Sequence, residues 1–190
     1  MKKAKIEPSV IATIDMHGYY NIPIIVSTVD GKLLDMTHIN KFQSNYLIRQ
    51  KLINELDNFI QKYEIDTILY EQNLLFTDTI SKYPDPSILR DIKLGFGIQT
   101  SIEDKYWNTV KYILSIPSSD WHNKIFNAKV KYSIDLYKSH ISRSVPQQLL
   151  DIIDTNNYYK AICLSESTLF DSLMNNKYQV NKEIDKVEKE

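Results

Sequence analysis

Val10-Ile11-Ala12-Thr13-Ile14-Asp15 constrains this chain more than any other stretch: an apolar, β-branched run that closes on a carboxylate and passes into the loop His17-Gly18-Tyr19-Tyr20. Apolar residues at nearly every position suit a strand covered on both faces, which can carry an acid at its open end. Ile65-Asp66-Thr67-Ile68-Leu69-Tyr70-Glu71 repeats the arrangement. Two strand-end acids seed a metal site, because hard divalent cations take oxygen ligands and a pair of them clamps the attacking and leaving oxygens of a phosphodiester. Each acid taken alone reads more simply as a solvated strand cap.

The segments between and beyond these runs set the fold class. Ile22 to Val29 is rich in Ile, Val and Thr, Asp30-Gly31 is a hairpin signal, and Leu33 to Ile39 then pairs antiparallel with the strand before it. From Gln43 to Tyr63, Leu47, Ile48, Leu52, Ile53, Leu56, Phe59 and Ile60 recur at spacings of three and four, the period of one helix face. That helix leads straight into the Glu71 strand, so the order predicts an α/β sheet in which the first and fourth strands are parallel. Pro84 and Pro86 mark a loop, and a helix follows from Ser87 towards Ile102, with Gly95 and Gly97 inside it permitting close packing on the sheet. Thr109 to Ile116 reads as a fifth strand, Pro117-Ser118-Ser119-Asp120-Trp121 as a turn into a helix, and Lys131 to Ile141 and Asn157 to Met174 as further helices. We expect one domain over residues 1–174 and a charged tail over 175–190 that is a frayed helix or disordered.

Charge and special residues narrow the function classes. A formal net charge of −1 gives the molecule no overall field towards nucleic acid. Between His122 and Ser144, however, Lys124, Lys129, Lys131, Lys138 and Arg143 face the single acid Asp135, a strip suited to phosphates and equally to an ordinary solvated face. Phe76 and Tyr83, in the irregular segment after Glu71, are the preferred pair for stacking on unpaired bases. His17, His38, His122 and His140 lack zinc spacing; His17, two residues from Asp15, is the one placed to touch a phosphate. The single Cys163, among Ala161, Ile162 and Leu164, reads as a buried small hydrophobe. No Gly-rich phosphate loop or nucleophile elbow is present, and no run of about 18 apolar residues, so the chain is expected in the cytoplasm, without a membrane partner.

From Ile11 to about Ser167 the chain resembles the RuvC-type Holliday-junction resolvases, a branch of the RNase H-like nuclease superfamily of bacteria and phages. The resemblance rests on Ile14-Asp15 with its glycine loop and hairpin, on Ile68-Leu69-Tyr70-Glu71-Gln72, on Ile116-Pro117-Ser118-Ser119-Asp120-Trp121, and on Asn157-Tyr158-Tyr159-Lys160-Ala161-Ile162-Cys163-Leu164. It implies an RNase H-like α/β fold, three antiparallel strands followed by parallel ones, and a homodimer that cuts branched DNA with Mg²⁺ or Mn²⁺. Asp15 would be the bridging metal ligand, Glu71 the second, and a group near Asn157 and Lys160 would complete the site. The resemblance also implies a dimer contact through the 87–102 helix, whose Ile88, Leu89, Ile92, Phe96 and Ile98 are equally compatible with core burial.

This chain departs from the family in two places. Met16 and His17 precede Gly18, a longer gap after the aspartate than the family's. Where the family carries two helix carboxylates three apart, this chain has Asn157 and Lys160, and an ammonium offers only donors. Three readings stay open: a second metal site damaged at Lys160; a register that uses Asp151 and Asp154 instead; or Lys160 supplying positive charge to the scissile phosphate. The function expected is resolution of branched DNA by metal-assisted hydrolysis. Its rivals are a degenerate relative that binds branched DNA or a protein partner without cleaving, and an interaction protein that binds no DNA.

Overall fold

The computed structural model describes residues 10–17, 20–72, 86–126, 134–141, 153 and 158–167. Five strands, β1 (Val10–Ile14), β2 (Asn21–Thr28), β3 (Leu33–Asn40), β4 (Thr67–Glu71) and β5 (Tyr112–Ile116), form one sheet in the order β3-β2-β1-β4-β5. β1 to β3 run antiparallel in sequence, and β4 and β5 join parallel to β1, the expected topology. Gly31 takes a φ of 87° in the β2–β3 turn, a conformation that costs glycine nothing, and its N–H donates to Thr28 O.

Alternation along the strands assigns each side chain to a face. Ala12, Ile14, Ile24, Val26, Ile68, Tyr70 and Ile113 meet helices α1 (Asn45–Tyr63) and α2 (Pro86–Tyr106). Ile11, Ile25, Leu69, Leu114 and Ile116 meet the other layer, built from α3 (Ser118–Phe126), α4 (Ile134–Ile141) and α5 (Tyr159–Ser167). Cys163 is fully buried there, as expected for a small hydrophobe, and burial pushes its thiol pKa up. The buried Ser27 and Ser165 hydroxyls, 2.6 Å apart, tie β2 to α5.

Element boundaries differ from the sequence expectation where caps intervene. α1 begins at Asn45 because Ser44 caps it, its Oγ accepting from Leu47 N, and ends at Glu64, which adopts a left-handed φ of 52°. α2 runs to Tyr106 rather than Ile102, and the Thr109 and Val110 amides bond Tyr106 O in a turn, so β5 starts only at Tyr112. α3 already includes Ser118, with Trp121 inside the helix. Gly97 serves helix packing rather than the sheet: a Cβ there would lie 3.1 Å from Arg49 Cδ of α1. On α2, Ile98 is core whereas Ile88 is 51 % exposed.

Candidate functional site

β1 and β4 are neighbours with Ile14 paired to Tyr70, so Asp15 and Glu71 leave the same edge of the sheet side by side. Their parity also agrees. Asp15 follows Ile11 and Thr13, and Glu71 follows Leu69, which sends both carboxylates towards the α3–α5 layer. Both are nearly buried, Asp15 at 2 % and Glu71 at 5 % exposure. Two adjacent buried carboxylates need a counter-charge.

Lys160 supplies it. From the first turn of α5 its Nζ lies 3.2 Å from Asp15 Oδ1 and 3.0 Å from Glu71 Oε2. A cation at a helix N-terminus works against the helix dipole by roughly 0.3–1 kcal/mol, a small term beside two charge-assisted hydrogen bonds. Burial disfavours the ammonium, but the two carboxylates outweigh it and hold its pKa above the usual lysine value.

Two N–H groups complete the setting. The His17 backbone amide donates to Asp15 Oδ1 at 3.0 Å, and the Trp121 indole donates to Glu71 Oε2 at 3.0 Å. Trp121 is fully buried and stacks on His122 with centroids 3.6 Å apart. His122 Nδ1 shares a hydrogen bond with Ser118 Oγ at 3.0 Å, and Nε2 one with Tyr137 Oη at 2.7 Å. Burial lowers the His122 pKa and pushes that of Tyr137 up to about 12. The stack runs from α3 to α4 and fixes the indole that holds Glu71. His140 and Glu166, 2.6 Å apart, and Lys138 Nζ, 5.2 Å from the Tyr159 ring centroid, dock α4 on α5.

The donor set can be tested against a pair of divalent cations. Asp15 and Glu71 offer oxygens, but the side chain that reaches both of them is an ammonium, with three donors and no lone pair, and the Trp121 indole on Glu71 is likewise only a donor. A divalent ion and an ammonium about 4 Å apart repel by roughly 8 kcal/mol at an effective dielectric of 20. Among the described residues no group of three or more His, Cys, Asp or Glu is placed to hold a metal. The described residues assembled at this edge do not fit a metal pair.

The other sequence candidates divide as follows. Asp15, Glu71 and Lys160 converge, and Lys138 lies on α4 in the layer that carries Lys160. Asn157, Asp151, Asp154, Lys129, Lys131, Arg143, Phe76 and Tyr83 lie outside the described residues, as does the side chain of Lys124, whose backbone is in α3. The hydrogen bond from Trp121 to Glu71 was not anticipated. The Trp in Pro117-Ser118-Ser119-Asp120-Trp121 was the available signal, but no local pattern says which strand an indole N–H will reach.

No family model and no curated protein matches the chain. Among solved structures, RuvC of T. thermophilus in complex with a Holliday junction substrate is similar with a TM-score of 0.53 and 9 % identity, over 84 % of this chain and 91 % of that one. A second structure of Thermus thermophilus RuvC gives 0.53 at 10 % identity, over 83 % and 92 %. At such identities the likeness is one of fold: this chain has the RuvC-like, RNase H-like α/β architecture.

Proposed function

We propose that this protein binds branched DNA and holds it without metal-dependent cleavage, Lys160 standing where a nuclease of this architecture would need a cation ligand. The observation that carries the reading is the single ammonium shared by Asp15 Oδ1 and Glu71 Oε2 at 3.2 and 3.0 Å. Branched DNA as the target is supported by the likeness to RuvC in a Holliday junction complex. In this reading Lys124, Lys129, Lys131, Lys138 and Arg143 contact phosphates, and binding weakens steeply with salt, log K falling by about 0.9 per phosphate neutralised. Residues 1–174 act as one domain, and a homodimer presents two such surfaces to a junction whose arms are related in pairs.

A second reading is favoured by the survival of two carboxylates side by side at the ends of β1 and β4. Here the chain is an endonuclease on branched DNA, with Asp15 and Glu71 as Mg²⁺ or Mn²⁺ ligands and Lys160 moving off them towards the scissile phosphate.

A labelled four-way junction and a duplex of equal sequence, each with and without Mg²⁺, separate the readings on native and denaturing gels run from the same tubes. The first predicts a retarded junction and no new ends in any lane. Paired cuts confined to the Mg²⁺ junction lanes, and lost in Asp15→Asn with binding retained, would overturn it in favour of the second. Neither binding nor cutting would overturn both and leave an interaction protein.

A further inference from the structure

The large apolar side chains that stay exposed among the described residues are Tyr20 (58 %), Phe42 (74 %), Tyr46 (59 %), Leu47 (45 %) and Ile88 (51 %). Their places in the chain bring them to one end of the molecule. Tyr20 immediately precedes β2, Phe42 follows β3, Tyr46 and Leu47 lie in the first turn of α1, and Ile88 in the first turn of α2. β2 runs antiparallel to β1 and β3 parallel to it, so this is the same sheet edge that carries Asp15 and Glu71.

Phe42 is exposed and at the same time held. Its amide donates to Asn40 Oδ1 at 2.7 Å, and the Lys41 amide donates to Tyr20 O at 2.9 Å. From α2, Arg90 Nη2 donates to Lys41 O at 3.2 Å and Gln43 O at 3.0 Å. The Tyr20 and Phe42 ring centroids are 5.7 Å apart with planes inclined by 33°. A backbone tied down by these hydrogen bonds thus presents an aromatic face to water, which costs hydration free energy unless a ligand covers it.

The groove beside these rings carries two cations and one carboxylate. It has a volume of about 470 Å³ and is lined by Tyr20, Lys41, Phe42, Pro86, Ser87, Arg90, Asp91 and Leu94. The Lys41 side chain is 8 % exposed, yet its ion-pair partner is Asp91 Oδ1 at 3.5 Å, on a side chain that is itself 55 % exposed. An ammonium buried beside a long, half-solvated ion pair keeps hydrogen-bonding capacity for a phosphate oxygen. An aromatic face beside fixed cations is how proteins take single-stranded nucleic acid, the base stacking while the backbone phosphate is neutralised.

We propose that Phe42, backed by Tyr20, is a stacking shelf for an unpaired nucleobase, with Lys41 and Arg90 receiving the adjoining phosphate. This deepens the branched-DNA reading and rests on it. The shelf would tell an open branch point, with its unstacked bases, from continuous duplex.

Fluorescence anisotropy on full-length wild type, Phe42→Ala and Phe42→Trp tests it with three labelled DNAs: a junction carrying unpaired bases at the branch, a linear duplex and a short single strand. Because Phe42 is exposed, the Ala variant should melt with wild type. Expected are roughly tenfold weaker binding of the junction and the single strand by Phe42→Ala, unchanged duplex binding, and restoration by Phe42→Trp. Junction binding by wild type that Phe42→Ala leaves untouched would overturn the shelf alone. Single-strand binding lost in Phe42→Ala without any junction preference in wild type would support the shelf and overturn the branched-DNA reading. No binding of any DNA by wild type would overturn both. A wild-type dimer that Phe42→Ala dissociates, with DNA binding unchanged, would overturn the shelf and give the face to self-association.

Discussion

Lys160 Nζ lies 3.2 Å from Asp15 Oδ1, an ion pair between the first turn of α5 and the end of β1 across 145 positions of sequence. The same ammonium serves Glu71, so one positive charge holds two buried carboxylates together at the open edge of the sheet.

Lys160→Met should therefore destabilise the protein at pH 7 by about 3 kcal/mol, the low end for a broken buried pair because the Lys160 side chain is 22 % exposed. Urea denaturation reads this. The folded-state pKa of Lys160 is raised, so its contribution is fully present below the ordinary lysine value and is lost only as pH rises through the raised one. Wild type should accordingly hold its advantage over Lys160→Met from pH 7 to 10. A gap that closes within that window would mean that the ammonium is not what stabilises the pair.

Lys160→Asp replaces the resident cation with a third carboxylate on the same helix turn. Its melting temperature should rise with millimolar Mn²⁺, whereas that of wild type should not; at a hundred times Kd the gain is about 2.7 kcal/mol. Calorimetric titration of both proteins gives the same comparison. Equal Mn²⁺ binding by the two would show that the ammonium does not exclude a metal.

Trp121→Phe keeps one six-membered aromatic ring and removes the pyrrole half of the indole with the N–H that Glu71 Oε2 accepts at 3.0 Å. The loss of a hydrogen bond to a buried charge should cost about 2 kcal/mol in urea denaturation. In a Lys160→Met background the cost should grow, because Glu71 then lacks both donors. A double-mutant cycle with zero coupling would separate the two contacts.

His122 carries the neutral-to-acid pH dependence of the α3–α4 layer. Its folded-state pKa is lowered, first by burial and further by the Lys160 charge, with Glu71 and the Ser118 backbone opposing. Stability from a neutral buried histidine is complete above its ordinary value near 6.5 and is lost as pH falls below it, where the unfolded chain takes the proton first. The melting advantage of wild type over His122→Gln should shrink between pH 7 and 5.5. A constant difference would mean that the imidazole does not stay neutral between Trp121 and Tyr137.

Much of the architecture was legible in the chain. Period-two and near-continuous apolar runs marked β1, β2, β3 and β4, the 3.6 period marked α1, and Asp30-Gly31 marked the hairpin, because these patterns answer to local geometry. Errors fell at ends, as at α2 and β5, where caps and turn hydrogen bonds rather than periodicity decide. The stacking aromatics show where sequence proximity stops helping. Phe76 and Tyr83, preferred for their nearness to Glu71 in sequence, lie outside the described residues, whereas Tyr20 and Phe42, exposed among the described residues, reach that edge from β2 and β3 and have no sequence pattern that marks them.

The sequence by itself determined that Asp15 and Glu71 end buried strands and that the first and fourth strands are parallel; it left open whether Lys160 or the Asp151 and Asp154 pair stands beside them. Only the tertiary structure decided that both acids face the same layer and that Lys160 lies between them, with Trp121 from α3 on one of them. Strand parity is local, but which helix covers which face depends on the sheet order and on how α3, α4 and α5 pack over Ile11, Leu69 and Leu114. Contacts made across 145 and 50 positions are set by that packing, and no window of neighbouring residues contains them.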